Sequence, residues 1–143
     1  MMHKVRIFIS HSWSYSGHYD SLANWIFQEN WNVSGVPLIF ENFSVPKSDP
    51  IHFANSEAQL RGAIYTKITL SDVVVIPTGM YANYSTWIQK EIEGAVSFAK
   101  PILAVNPWGQ EKKSAVVAQA AKKLVGWNKQ SVIDGIWNLY CGN

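Results

Sequence analysis

Val73-Val74-Val75-Ile76, followed by Ser85-Thr86-Trp87-Ile88-Gln89-Lys90-Glu91-Ile92, is the stretch that decides the fold. Four consecutive β-branched residues read as a strand buried on both faces. Helical spacing then takes over, with Ile88, Ile92, Ala95, Val96 and Ala99 on one apolar stripe. Ser85 is the expected N-cap of that helix. A buried strand feeding an amphipathic helix is the repeating unit of a parallel sheet.

The same alternation extends in both directions. Val5-Arg6-Ile7-Phe8-Ile9 reads as the first strand, and Ser10-His11-Ser12-Trp13-Ser14 as a polar loop after it. Tyr19, Leu22, Trp25 and Ile26 have helical spacing within 18–29. Val36-Pro37-Leu38-Ile39-Phe40 reads as a second strand, with Pro37 suited to its beginning or to a sheet edge. Residues 41–56 show no period and hold Pro46, Asp49 and Pro50; a loop of that length is unusual and often functional. Leu60, Ile64 and Ile68 mark a helix, and Pro101-Ile102-Leu103-Ala104-Val105 a further strand. Two C-terminal helices are expected, over about 112–125 with Gly126 as C-cap, and over about 130–140 with Ile133, Ile136, Trp137 and Tyr140 inward. Strands alternating with helices predict a single α/β domain over 1–143, a parallel sheet covered on both faces. Ligands of such sheets bind beyond the carboxyl ends of the strands. There Ser10–Trp13, the 41–56 loop and Thr78–Tyr84 would meet.

Bulk composition narrows the function classes. The chain has 143 residues, 48% of them hydrophobic and 15% charged, with seven tryptophans, as a globular domain requires. A net charge of +2 without a basic run argues against a nucleic-acid partner. Lys112, Lys113, Lys122 and Lys123 read as a solvated helix face. The single cysteine, Cys141, has no disulfide partner, which fits a cytoplasmic chain. Neither a signal-length apolar segment nor a membrane-spanning run is present, so a soluble, membrane-free protein is expected.

Familiar catalytic motifs are missing. There is no GxxxxGK[ST] or GxGxxG loop, no HExxH and no cysteine pair for zinc. The first strand ends without the acidic cluster that a receiver-type domain would need. Glu91 stands out by helical geometry. It follows Trp87 by four residues and so shares a helical surface with it. At about 100° per residue, Ile92 lies about 40° from Ile88, Glu91 about 60° away on the other side, and Glu93 about 140° away. Glu91 therefore borders the buried stripe, whereas Glu93 faces solvent. A carboxylate held there against an indole can stabilise a cationic transition state. A boundary glutamate paired with Lys90 or Lys67 explains the same pattern. Trp25 and Trp137 fit packing stripes, and His52 fits an ordinary surface position as well as a polar site.

In order and spacing the chain resembles bacterial TIR-like domains, of the short type found in the Thoeris anti-phage system. The resemblance spans nearly the whole chain. It is carried by Phe8-Ile9-Ser10-His11-Ser12, Asp49-Pro50-Ile51-His52-Phe53, Ser71-Asp72-Val73-Val74-Val75-Ile76 and Gly79-Met80-Tyr81. Trp87-Ile88-Gln89-Lys90-Glu91-Ile92 and Lys100-Pro101-Ile102-Leu103-Ala104-Val105-Asn106-Pro107-Trp108-Gly109 complete it.

The resemblance implies a flavodoxin-like α/β sandwich, a central parallel sheet flanked by helices. It also implies cleavage of NAD+ at the nicotinamide–ribose bond and a cyclic ADP-ribose-type signal for a separate effector. NAD+ is then substrate, and no cofactor or metal is expected. Glu91 maps onto the catalytic glutamate. Phe8, Ser10, His11 and Ser12 map onto substrate contacts, and Asp49, His52 and Met80 belong to the matching loops. Phe8, Tyr81, Tyr84 and Trp87 are candidates for stacking and shielding. Assembly with other TIR subunits is implied too, although the loop over 41–56 does not match the signalling loop of animal TIR adaptors. Two other readings stay open: a non-catalytic TIR-type interaction module, and a nucleoside deoxyribosyltransferase-like enzyme.

Overall fold

The computed structural model describes residues 3–10, 16–44, 57–78, 81–106 and 115–142; the side chains of 16–19, 57–61, 81–87 and 115 lie outside the description. The elements run β1 (His3–Ile9), α1 (Ser16–Phe27), β2 (Trp31–Val33), β3 (Val36–Asn42), α2 (Glu57–Leu70) and β4 (Val73–Pro77). They continue as α3 (Tyr81–Ser97), β5 (Ile102–Asn106), α4 (Ala115–Ala120), β6 (Lys123–Gly126) and α5 (Lys129–Tyr140). The six strands form one sheet in the order β2-β3-β1-β4-β5-β6. Every pairing is parallel except β2 with β3. Without that short edge strand, the order is the flavodoxin-like one. Among the described residues no helix is long and apolar enough to cross a membrane.

Alternation along the strands divides the core into two layers. Val5, Ile7 and Ile9 of β1 pack with Leu22 and Ile26 of α1 and with Ile133, Ile136 and Leu139 of α5. Phe8 faces the other way, with Val74 and Ile76 of β4, Ile64 and Ile68 of α2, and Ile88 and Ile92 of α3. Burial of β4 is complete on both faces, as its unbroken apolar run requires. Trp25 and Trp137 pack against the first layer, as expected of core-stripe residues.

The two halves of the sheet meet where β1 pairs with β4, through Ile7↔Val73, Phe8↔Val74 and Ile9↔Val75. Asp72 clamps the beginning of this seam. Its carboxylate accepts the Arg6 backbone N–H at 2.8 Å and the guanidinium at 3.0 Å, while its own N–H donates to the Arg6 carbonyl at 2.7 Å. The hydrogen bond and charge of Asp72 raise the Arg6 pKa above its already high value. Arg6 therefore stays charged at every working pH. The guanidinium itself adds no pH dependence there, because a raised pKa costs stability only as pH climbs through it.

Three expectations need correction. Helix α3 begins at Tyr81, so Ser85 lies inside it and is no N-cap. Between these positions the sequence holds neither glycine nor proline, and nothing stops the helix from extending back. The helix expected over 112–125 is in fact the short α4 followed by β6, and Gly126 ends a strand. Pairing of Leu103 with Lys123 and Val105 with Val125 overrides the local helical pattern. The sheet also gains β2 through a two-residue turn, in which Ser34 (φ 53°) and Gly35 (φ 80°) both take the left-handed values of a type I′ hairpin.

Helix α3 ends in a Schellman motif. The N–H of Lys100 donates to the Ala95 carbonyl at 2.8 Å, and that of Ala99 to Val96 at 3.2 Å. Ala99 occupies the left-handed position at φ 56°, where glycine carries no Cβ penalty. Ala99→Gly is therefore expected to raise stability by about 0.5–1 kcal/mol. Equilibrium urea denaturation checks this; an unchanged or lower midpoint contradicts it.

Candidate functional site

The strand order reverses between β1 and β4, since β1 connects to β3 on one side and the chain later returns to β4 on the other. A crevice opens at such a reversal, outside the carboxyl ends of the strands. Ser10 follows directly on β1 and continues its register, its N–H donating to the Val75 carbonyl at 2.8 Å. Two residues after Phe8, its side chain turns to the same face, toward α2 and α3.

Glu91 meets it there. The Ser10 hydroxyl donates to Glu91 Oε1 at 2.5 Å, although the two residues lie 81 positions apart in the chain. Both are 0% exposed. The expected geometry placed Glu91 at the border of the stripe, partly desolvated. The structure buries it fully, because α3 is covered on the sheet side and packs closely on α2. That approach depends on Gly94, where an added Cβ would come within 2.9 Å of the Tyr65 ring. Glu93 is half-buried rather than open to solvent. Lys90, beside Glu91, is buried as well, at 3% exposure.

A carboxylate removed from water is costly unless hydrogen bonds hold it. The Ser10 hydroxyl supplies one such bond and fixes where the carboxylate points. In a low-dielectric surrounding its charge acts far more strongly on a neighbouring cation than it would in water.

Of the other expected contacts, Phe8 is wholly buried beneath this pair in the α2–α3 layer. Tyr81, Tyr84 and Trp87 lie on the first half of α3, on the helix that delivers Glu91, with their side chains outside the description. His11, Ser12, Asp49, His52 and Met80 lie outside the described residues.

Sequence reasoning missed a second polar pair on the same sheet face. Thr78 directly follows β4 and Asn106 ends β5, and the Thr78 hydroxyl donates to Asn106 Oδ1 at 3.0 Å. Register could have found it: Pro77 pairs with Val105, so the next residues along both strands stand opposite each other.

A cavity of about 490 Å³ opens elsewhere, lined by Lys100, Pro101, Ile102, Ala120, Lys122 and Leu139. It sits at the amino end of β5, where α3, α4 and α5 all finish. Its two lysines answer the negative ends of those helices. Its position sets it apart from the Ser10–Glu91 pair, which lies beyond the carboxyl ends of the strands.

A family model described as "Thoeris protein ThsB, TIR-like domain" matches residues 8–112, a span that includes Ser10, Thr78, Glu91 and Asn106. Comparison with curated proteins gives no match. Among solved structures, the chain is similar to the crystal structure of a 3-dehydroquinate dehydratase-like protein from Bifidobacterium longum. Identity is 13% over 98% of this chain and 97% of that one, with a TM-score of 0.46.

A buried hydrogen bond to a carboxylate should show energetic coupling. In a double-mutant cycle of Ser10→Ala and Glu91→Gln, an interaction of about 1–3 kcal/mol in unfolding free energy is expected. Strictly additive losses would show that the two side chains do not act together.

Proposed function

The chain belongs to the TIR-like domain family of the Thoeris protein ThsB, and on that basis we propose that it is an NAD+-consuming enzyme of anti-phage defence, with Glu91 as its catalytic carboxylate. One observation carries this reading: Glu91 is buried and held by Ser10 at the point where the strand order reverses. A sheet of this kind binds its ligands at that point.

The reaction asks little of the protein's acids and bases. The bond between ribose C1′ and the pyridinium nitrogen breaks, and its electron pair goes to nitrogen. Nicotinamide departs neutral, so no general acid is needed. Positive charge develops on C1′ and the ring oxygen, and a fixed carboxylate stabilises it without having to reorganise. Water then attacks C1′ and loses a proton, giving ADP-ribose. If part of the same ADP-ribose attacks C1′ instead and gives up its proton, the product is a cyclic ADP-ribose-type signal for a separate effector. Cyclisation requires that water be kept out while the two ends meet.

Glu91→Gln keeps the shape of the side chain and removes its charge. Nicotinamide release from NAD+, followed by chromatography, should fall by roughly 10²–10³-fold in a variant with unchanged circular dichroism. Full activity in that variant would remove Glu91 from the mechanism.

Complete burial also means that substrate reaches Glu91 only after its cover moves. We infer that association with further TIR subunits opens or completes the site. Nicotinamide release per chain should then rise with protein concentration, and a specific activity independent of concentration would argue against assembly.

The same burial favours one rival, a non-catalytic TIR-type interaction module in which Ser10 and Glu91 only fasten α3 to β1. The two readings separate on the wild-type chain. The module releases no nicotinamide at any concentration, and Glu91→Gln then costs it stability alone.

A further inference from the structure

The hollow of about 490 Å³ lies at the amino end of β5, opposite the end that carries Ser10 and Glu91. It forms because the sheet stops there. Ile102 is the first residue of β5, and beyond it the strand no longer separates the two layers of the core. Ile102 belongs to the layer of α2 and α3, and Leu139 to the layer of α1 and α5, yet both line the same space. These two form its floor, at 2% and 5% exposure, and Val96 stands on its rim at 65%.

The lining is chemically one-sided. Lys100 and Lys122 are cationic, the other lining residues are apolar, and none of those described is acidic. Backbone structure fixes both lysines at this level: the Lys122 N–H donates to the Ile102 carbonyl at 2.9 Å, and the Lys100 N–H to the Ala95 carbonyl at 2.8 Å. Among the described residues neither ammonium has an ion-pair partner. The negative ends of α3, α4 and α5 offset only part of this charge. Such partial charges sit on unsatisfied carbonyls, and here N–H groups already take several of them, Lys100 from Ala95, Ala121 from Val117 and Gly142 from Leu139.

Size and charge together select the ligand class. Small-molecule sites occupy about 300–1,000 Å³, and this hollow falls in that range. Its walls reward an apolar body by the area they remove from water. Two unpaired ammonium groups favour an anion and disfavour a cation. A bare inorganic anion would leave the walls wet, and a neutral hydrocarbon would leave both charges unused.

We propose that this hollow binds a small amphipathic anion, an apolar ring or chain bearing one acidic group, with Lys100 and Lys122 holding the acidic group at its mouth. Lysine stems cover apolar surface while their heads stay at the water boundary, which suits both residues to that place. The site is separate from the Ser10–Glu91 pair, so the inference stands whether or not the chain cleaves NAD+.

Two dyes with one aromatic body test it on the full chain: anilinonaphthalene sulfonate, and N-phenyl-1-naphthylamine, which lacks the sulfonate. In fluorescence titrations the sulfonate should saturate at one per chain and bind more tightly than the neutral dye, and added salt should weaken the sulfonate alone. Lys100→Gln together with Lys122→Gln should lower sulfonate affinity roughly tenfold, the size of two partly exposed ion pairs, and leave the neutral dye unchanged. Val96→Glu, at a position open to water, sets a carboxylate beside the lysines and should also weaken the sulfonate. Circular dichroism should be the same in all three chains. Methyl NMR locates the dye, through shifts at Val96, Ile102 and Leu139. Absence of saturable binding, equal affinity for the two dyes, an unchanged sulfonate affinity in the lysine variant, or shifts confined to other methyl groups overturns the assignment.

Discussion

Pairing of β1 with β4 is the contact on which the rest of the structure depends. It is short, with three register pairs between Ile7–Ile9 and Val73–Val75. Over these residues both strands are buried on both sides, so backbone groups left unpaired at this seam would have no water to turn to. Asp72 closes its lower end through the Arg6 backbone, and Ser10 extends its upper end by donating to the Val75 carbonyl. Within the sheet, the β3 side is joined to the β5 side through this seam. The reversal of strand order that creates the crevice is the same feature seen from above.

The seam also sets the geometry of the Ser10–Glu91 pair. Because β1 lies in register with β4, and α3 returns over β4, the hydroxyl after β1 arrives at the level of Glu91 on the helix. No local motif could bring these two groups together. A buried carboxylate with an oriented hydroxyl is expensive to build, and such an arrangement persists where its electrostatics are used or where it fastens two elements. Ser10 and Glu91, both fully buried, fasten α3 to the end of β1.

How far the sequence could be read varied with the range of the force that decides each feature. Four of the strands and the helix carrying Glu91 were legible, because β-branched runs and a 3.6-residue stripe are strong local signals. Glu91 could be told from Glu93 by angle alone, yet its complete burial could not, since that depends on Tyr65 and Gly94 closing α2 onto α3. The Ser34–Gly35 turn was a visible hairpin signal that went unused, and β2 was missed with it. Strand β6 was hidden for another reason. It is a four-residue edge strand in which half-buried Lys123 and Val125 alternate with exposed Leu124 and Gly126, so it lacks the continuous apolar run that marks its neighbours.

By itself the sequence determined the alternation of strands and helices, the two-sided burial of Val73–Ile76 and the candidacy of Glu91. Those follow from periodicity and side-chain chemistry, which act over a few residues. Tertiary structure alone decided that Ser10 would be the partner of Glu91, that Thr78 and Asn106 would stand side by side, and that residues 123–126 would be strand. Each of these is a pairing between segments far apart in the chain. Register across a sheet fixes such pairings, and register is set by the packing of all its layers at once rather than by any one stretch of residues.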